Sequence, residues 1–153
     1  MKRTLVLIAA VFALTGAFAT GDLSPSLALR AGYAGAVSFG LEASWNCQLY
    51  QPPVGALRPA LNLGMTGGGL SAAFAMRYLM DAPGGEGLRL GGGAGLGYQN
   101  GGFGLVRLDA EFDLPLSGLP APAFVGMDAG YAFALTKGAF AGPYASFKVG
   151  LRF

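Results

Sequence analysis

Apolar and polar residues alternate along most of this chain. The stretch VSFGLEASWNC is the clearest case. Val37, Phe39, Leu41, Ala43, Trp45 and Cys47 fall on one side of an extended backbone, and Ser38, Gly40, Glu42, Ser44 and Asn46 on the other. A period of two marks a strand whose two faces meet different surroundings. The same alternation predicts eight strands, at about 26–33, 36–47, 57–65, 70–80, 88–98, 103–114, 123–135 and 143–153. The segments between them read as turns. TGGG at 66–69 and QNGG at 99–102 are tight hairpin signals. QLYQPPVGA, DAPGGEG and PLSGLPAP are longer and hold six of the nine prolines. Pro59 lies inside the third segment, where it should remove a ladder hydrogen bond.

The two faces carry very different residues. The basic residues on the polar face are Arg30, Arg58, Arg77, Arg89, Arg107, Lys148 and Arg152, and the acidic ones are Glu42, Asp109, Glu111, Asp113 and Asp128. None of these charges shares a side with the apolar residues. Elsewhere the polar face is bare. In the fifth segment it runs Arg89, Gly91, Gly93, Gly95, Gly97 and Gln99. A water-facing exterior built this way would expose backbone, whereas in a narrow interior a glycine column makes room for large neighbours. Aromatics of the apolar face gather toward segment ends. Tyr33, Tyr98, Tyr131 and Phe133 fall near one end of the strand array, and Trp45, Tyr78, Phe112 and Phe153 near the other. Two such girdles suit the two interfaces of a bilayer. The pattern therefore predicts an all-β fold: an eight-stranded antiparallel up-and-down transmembrane β-barrel with its charges inward. The alternative is a secreted soluble ligand-binding barrel with the faces reversed.

Composition sharpens the picture at the N-terminus. The chain is 53% hydrophobic and only 12% charged. Its one continuous apolar run lies in MKRTLVLIAAVFALTGAFA, where Lys2 and Arg3 precede Leu5–Leu14 and the sequence Ala17-Phe18-Ala19 follows. This reads as a secretory signal peptide over 1–19, leaving a single barrel domain at 20–153. Without Lys2 and Arg3 the ten basic residues become eight, equal to the eight acidic ones, so no charge excess points to nucleic acid.

The chain ends FKVGLRF. With the leader and the eight alternating segments, this ending resembles the small bacterial outer-membrane β-barrels of OmpA/OmpX-like architecture, whose last strand closes on Phe. The resemblance implies an outer-membrane location. It also implies that Phe147, Val149, Leu151 and Phe153 form the signal read by the barrel-assembly machinery. Outer-membrane lipid and that machinery are the implied partners, with other envelope proteins as further candidates. In one respect the chain departs from such barrels. The short connections fall on the side that would face outward, and the Pro-rich ones on the side of the chain ends.

Candidate chemistry is sparse. The chain has no His, which removes Ser-His-Asp and Cys-His catalysis and histidine metal ligation. The resemblance also includes lipid-modifying barrel enzymes, whose sites use His, so no enzyme activity and no cofactor are expected. Asp109, Glu111 and Asp113 are spaced at roughly 7 Å along one strand face, too far apart to hold one metal alone. They are expected to pair with inward arginines, Arg89 or Arg77. Cys47 is expected to act as a small hydrophobe. The glycines of GLRLGGGAGLG are not followed by a helix, so they do not form a phosphate loop. The expected function is a structural or envelope-stabilising role, possible beside a larger complex, with a narrow pore for ions or small polar solutes as the alternative.

Overall fold

A computed structural model of the protein describes residues 25–47, 49–50, 52, 54–84, 87–116 and 121–153. The expected leader at 1–19 lies outside the described residues. The described residues form eight strands: β1 (Ser26–Tyr33), β2 (Val37–Ser44), β3 (Ala56–Thr66), β4 (Gly69–Asp81), β5 (Leu88–Tyr98), β6 (Gly102–Leu114), β7 (Ala123–Ala134) and β8 (Gly142–Arg152). Each pairs antiparallel with its sequence neighbours, and β1 pairs with β8 from Ser26↔Arg152 to Tyr33↔Ala145. The sheet is a closed barrel with no free edge. Closure lets every strand satisfy its backbone groups from its neighbours, which a sheet in lipid must do.

β1 begins and β8 ends at the same rim, the terminal rim. The connections at the far rim are short: 34–36, 67–68 and 99–101, with 135–141 the longest. Gly67 and Gly68 both have positive φ, 56° and 84°, as a two-residue hairpin turn between antiparallel strands requires. Connections 45–55, 82–87 and 115–122 at the terminal rim are longer. The asymmetry read from the sequence is therefore a property of the fold and not a misplaced strand.

The second strand is shorter than its alternation predicts. It stops at Ser44, so Trp45 and Cys47 lie beyond it. Pro59 supplies the reason. A residue in an antiparallel ladder presents its N–H and C=O to the same neighbour. Pro59 accepts from the Trp45 amide at 3.2 Å but has no N–H to return, and the regular β2–β3 ladder ends one pair earlier, at Ser44↔Ala60. The proline therefore falls at the end of a ladder.

The faces divide as a membrane barrel requires. Arg77 and Lys148 are 0% exposed and Glu42, Glu111 and Asp128 only 2%, while Leu29 is 69% and Leu108 73% exposed. A soluble barrel with an apolar interior would show the reverse, so that alternative fails. The interior also holds large apolar residues that the alternation did not single out. Leu79, Phe103, Leu105 and Phe124 point inward in phase with the charges and are buried.

The glycine column of β5 has a second use besides making room. A Cβ on Gly91 would lie 1.9 Å from the Tyr78 carbonyl oxygen, and one on Gly93 2.2 Å from that of Met76. The barrel wall bends so sharply here that an inward side chain would strike the backbone of β4.

Candidate functional site

The lumen is crossed by a network of ion pairs built from alternate residues of six strands. β2 contributes Glu42. Its carboxylate lies 3.0 Å from Lys148 Nζ on β8, 3.2 Å from Arg77 Nη1 on β4 and 3.5 Å from Arg107 Nη2 on β6. Arg77 Nη1 also donates to Asp109 Oδ1 (3.1 Å) and Glu111 Oε1 (2.9 Å). Lys148 Nζ donates to Glu111 Oε1 at 2.7 Å. On the far-rim side, Arg30 of β1 donates to Asp128 of β7 at 2.7 Å and to Asn62. Ser146 donates to the same carboxylate, and Arg107 lies 3.1 Å from it. The cations and anions thus interleave instead of forming separate patches. Each carboxylate is held by at least two cations, as charges withdrawn from water must be.

Toward the terminal rim the network thins, and the pairs of Asp113 and Arg89 are partly exposed. Arg152 reaches Glu111 (2.8 Å) and Asp113 (2.9 Å), and its guanidinium stacks 4.3 Å from the centre of the Phe124 ring. Arg89 joins Asp113 at 3.0 Å and Asp81 at 3.2 Å. Arg58 donates to Ser26 and Ser44. The acidic column of β6 is therefore divided among several cations. Arg77 takes Asp109 and Glu111, and Arg89 takes Asp113. Among the described residues, no cluster of three or more His, Cys, Asp or Glu is arranged to hold a metal ion.

The far half of the lumen is different. Ala75, Phe103, Leu105 and Ala132 form an apolar cluster, joined by Tyr144 and by Phe140 from connection 135–141. Beside it lies a cavity of about 110 Å³ with Arg30, Asn62 and Arg107 among its lining and Ser38, Thr66 and Ser71 toward the far rim. It has room for several waters. The ion network lies between it and the terminal rim.

Of the expected girdle, Tyr33, Tyr98, Tyr131 and Phe133 are exposed toward the far rim, and Phe112 and Phe153 toward the terminal rim. Trp45 and Tyr78 are half-buried. Tyr78 donates its hydroxyl to the Val54 carbonyl, so connection 45–55 shields it. Phe147, Val149 and Leu151 lie on the outer side of β8, and Phe153 follows its end, donating its amide to Pro25 at 2.8 Å. Sequence reasoning did not find the pairings across the barrel, Glu42 with Lys148 and Arg30 with Asp128. Alternation assigns a residue to a face but does not say which distant strand it meets.

This geometry has a solved counterpart. The chain is similar in fold to the N-terminal β-barrel domain of OprF from Pseudomonas aeruginosa. The two superpose with a TM-score of 0.53 at 17% identity, over 88% of this chain and 100% of that domain. The protein shares the eight-stranded barrel fold of that domain. No protein-family description and no curated protein sequence matches the chain.

Proposed function

We propose that this protein is an integral outer-membrane barrel with a structural, envelope-stabilising role, sealed across its lumen and without catalytic activity. The observation that carries this reading is the interleaved ion network. It spans six strands at the middle of the barrel and ties opposite walls together. A pore lined for transport needs groups free to exchange ions. Here Arg77 and Lys148 are buried and each is bound to the buried Glu111. In this reading the apolar wall contacts lipid, and the terminal rim faces the periplasm. The barrel-assembly machinery reads Phe147, Val149, Leu151 and Phe153, and other envelope proteins meet the rims.

The cavity in the far half favours a second reading, a narrow pore for ions or small polar solutes whose constriction is the ion network. Single-channel recording separates the two. The protein refolded as residues 20–153 is expected to insert into planar bilayers, to show heat-modifiable gel mobility and to carry no steady current. Discrete current steps that change amplitude in Arg107→Glu would establish the pore instead, because Arg107 lies between the cavity and Glu42. Full solubility in buffer without detergent would overturn both readings.

A further inference from the structure

Connection 45–55 is unlike an ordinary surface loop. No charged residue occurs between Glu42 and Arg58. Leu49 is 93%, Val54 65% and Tyr50 62% exposed. Loop tips normally carry small or polar residues, and a cluster of exposed apolar groups marks a contact surface. The position of the loop identifies what it contacts. Tyr78 belongs to the lipid-facing side of β4, since it follows the inward, fully buried Arg77. Its hydroxyl holds the Val54 carbonyl, and a Cβ on Gly55 would lie 3.0 Å from the side chain of Met80, the next outward residue. At Val54 and Gly55 the chain therefore enters β3 from the outside of the barrel wall. The other leg runs beside β3, with the Trp45 amide bonded to Pro59 and the Cys47 amide to Leu57.

We propose that Leu49, Tyr50 and Val54 of connection 45–55 form an interfacial membrane foot: exposed side chains of an uncharged connection, held outside the wall, that enter the headgroup–acyl boundary of the adjoining phospholipid leaflet. The occupant is the lipid surface. The Tyr78 tether holds the loop at the height of the terminal-rim aromatics, where tyrosine and tryptophan side chains favour the membrane interface. Val54 and Leu49 then add apolar contact at that depth. The foot would also explain why Tyr78 is half-buried while Phe112 and Phe153 at the same rim stay open, because the loop replaces lipid as its neighbour. This inference rests on the barrel spanning a bilayer, so its test includes a reporter of that span.

The test uses single-tryptophan proteins in phosphatidylcholine vesicles. The background is Trp45→Phe, which removes the one native tryptophan. Leu49→Trp reports on the foot, Lys137→Trp on the far-rim loop and Leu29→Trp on the wall. The Leu29→Trp protein should be quenched by lipid labelled deep in the acyl chain, which establishes the span independently. The Leu49→Trp emission should be blue-shifted relative to Lys137→Trp. It should be quenched several-fold more by lipid nitroxide-labelled near the headgroup than by the deep label, and be shielded from aqueous acrylamide. Water-like emission open to acrylamide would overturn the foot while leaving the span intact. Shielding in native membranes but not in vesicles of the pure protein would also overturn it, since a protein partner would then cover the loop. If Trp45→Phe impairs folding, a nitroxide on Leu49→Cys in Cys47→Ser keeps the question answerable. Greater access to dissolved oxygen than to a polar nickel chelate places the loop in lipid, and the reverse ratio places it in water.

Discussion

Glu42 shows how much one residue carries in this lumen. Its carboxylate is shared by Arg77, Lys148 and Arg107, and its side chain is 2% exposed. Removing one member of a buried ion cluster leaves the others withdrawn from water without compensation, at a cost of about 3–5 kcal/mol. Glu42→Ala should therefore lower the unfolding free energy of the refolded barrel, read from its urea transition, by an amount of that order. Glu42→Gln combined with Lys148→Gln should lose less than the sum of the two single changes, because the pair is in direct contact. Equal, additive losses would show that the contact does not couple them. Glycine matters at the same scale for a different reason. Gly91→Ala sets a Cβ against the Tyr78 carbonyl oxygen at 1.9 Å, whereas a Cβ at Gly69 meets nothing nearer than 3.6 Å. Gly91→Ala should abolish or greatly slow refolding to the heat-modifiable form, and Gly69→Ala should leave it unchanged.

At the scale of a strand, the position of a proline relative to its neighbour's ladder decides its effect. Pro59 is tolerated because β2 ends at Ser44, one pair before the proline's missing donor would be used. Leu61 sits two residues along the same edge of β3 and is paired with Ala43 on one side and Phe74 on the other. Leu61→Pro should prevent formation of the folded band on unheated gels, since a closed barrel has no edge at which to place a lost donor. Pro59→Ala should change stability little. Alternation alone located all eight strands to within a few residues. It placed the end of β2 too late because the apolar period continues through Trp45 and Cys47 after the regular ladder has ended.

For the molecule as a whole, the decisive property is the inversion of faces. Leu108 lies at the centre of β6 and is 73% exposed. In a bilayer, an arginine at the midplane of a barrel's lipid face costs about 2–4 kcal/mol. Leu108→Arg should reduce stability in vesicles by that order and leave the lumen network untouched. Unchanged stability would mean that this wall does not face hydrocarbon. Leu108 points away from the ion network, on the opposite face of β6 from its neighbours Arg107 and Asp109, so this is a test of environment and not of internal packing.

The strands, their two faces and the residues on each are legible in the alternation of residues, because side-chain direction in a strand depends only on position along the chain. The short turns are legible in the sequence as well, since Gly67, Gly68 and the Asn-Gly pair carry their own backbone preference. Which residues meet inside is set by closure of the barrel. Glu42 and Lys148 lie 106 residues apart and Arg30 and Asp128 98, and they meet because β1 closes on β8 and the barrel is narrow. The inward turn of Phe103, Leu105 and Phe124 was equally hidden, since an apolar residue on the polar face looks like an irregularity until closure gives that face a core. The outward path of connection 45–55 depended on a single hydroxyl, that of Tyr78, and no local pattern specifies a contact between a loop and the strand after next.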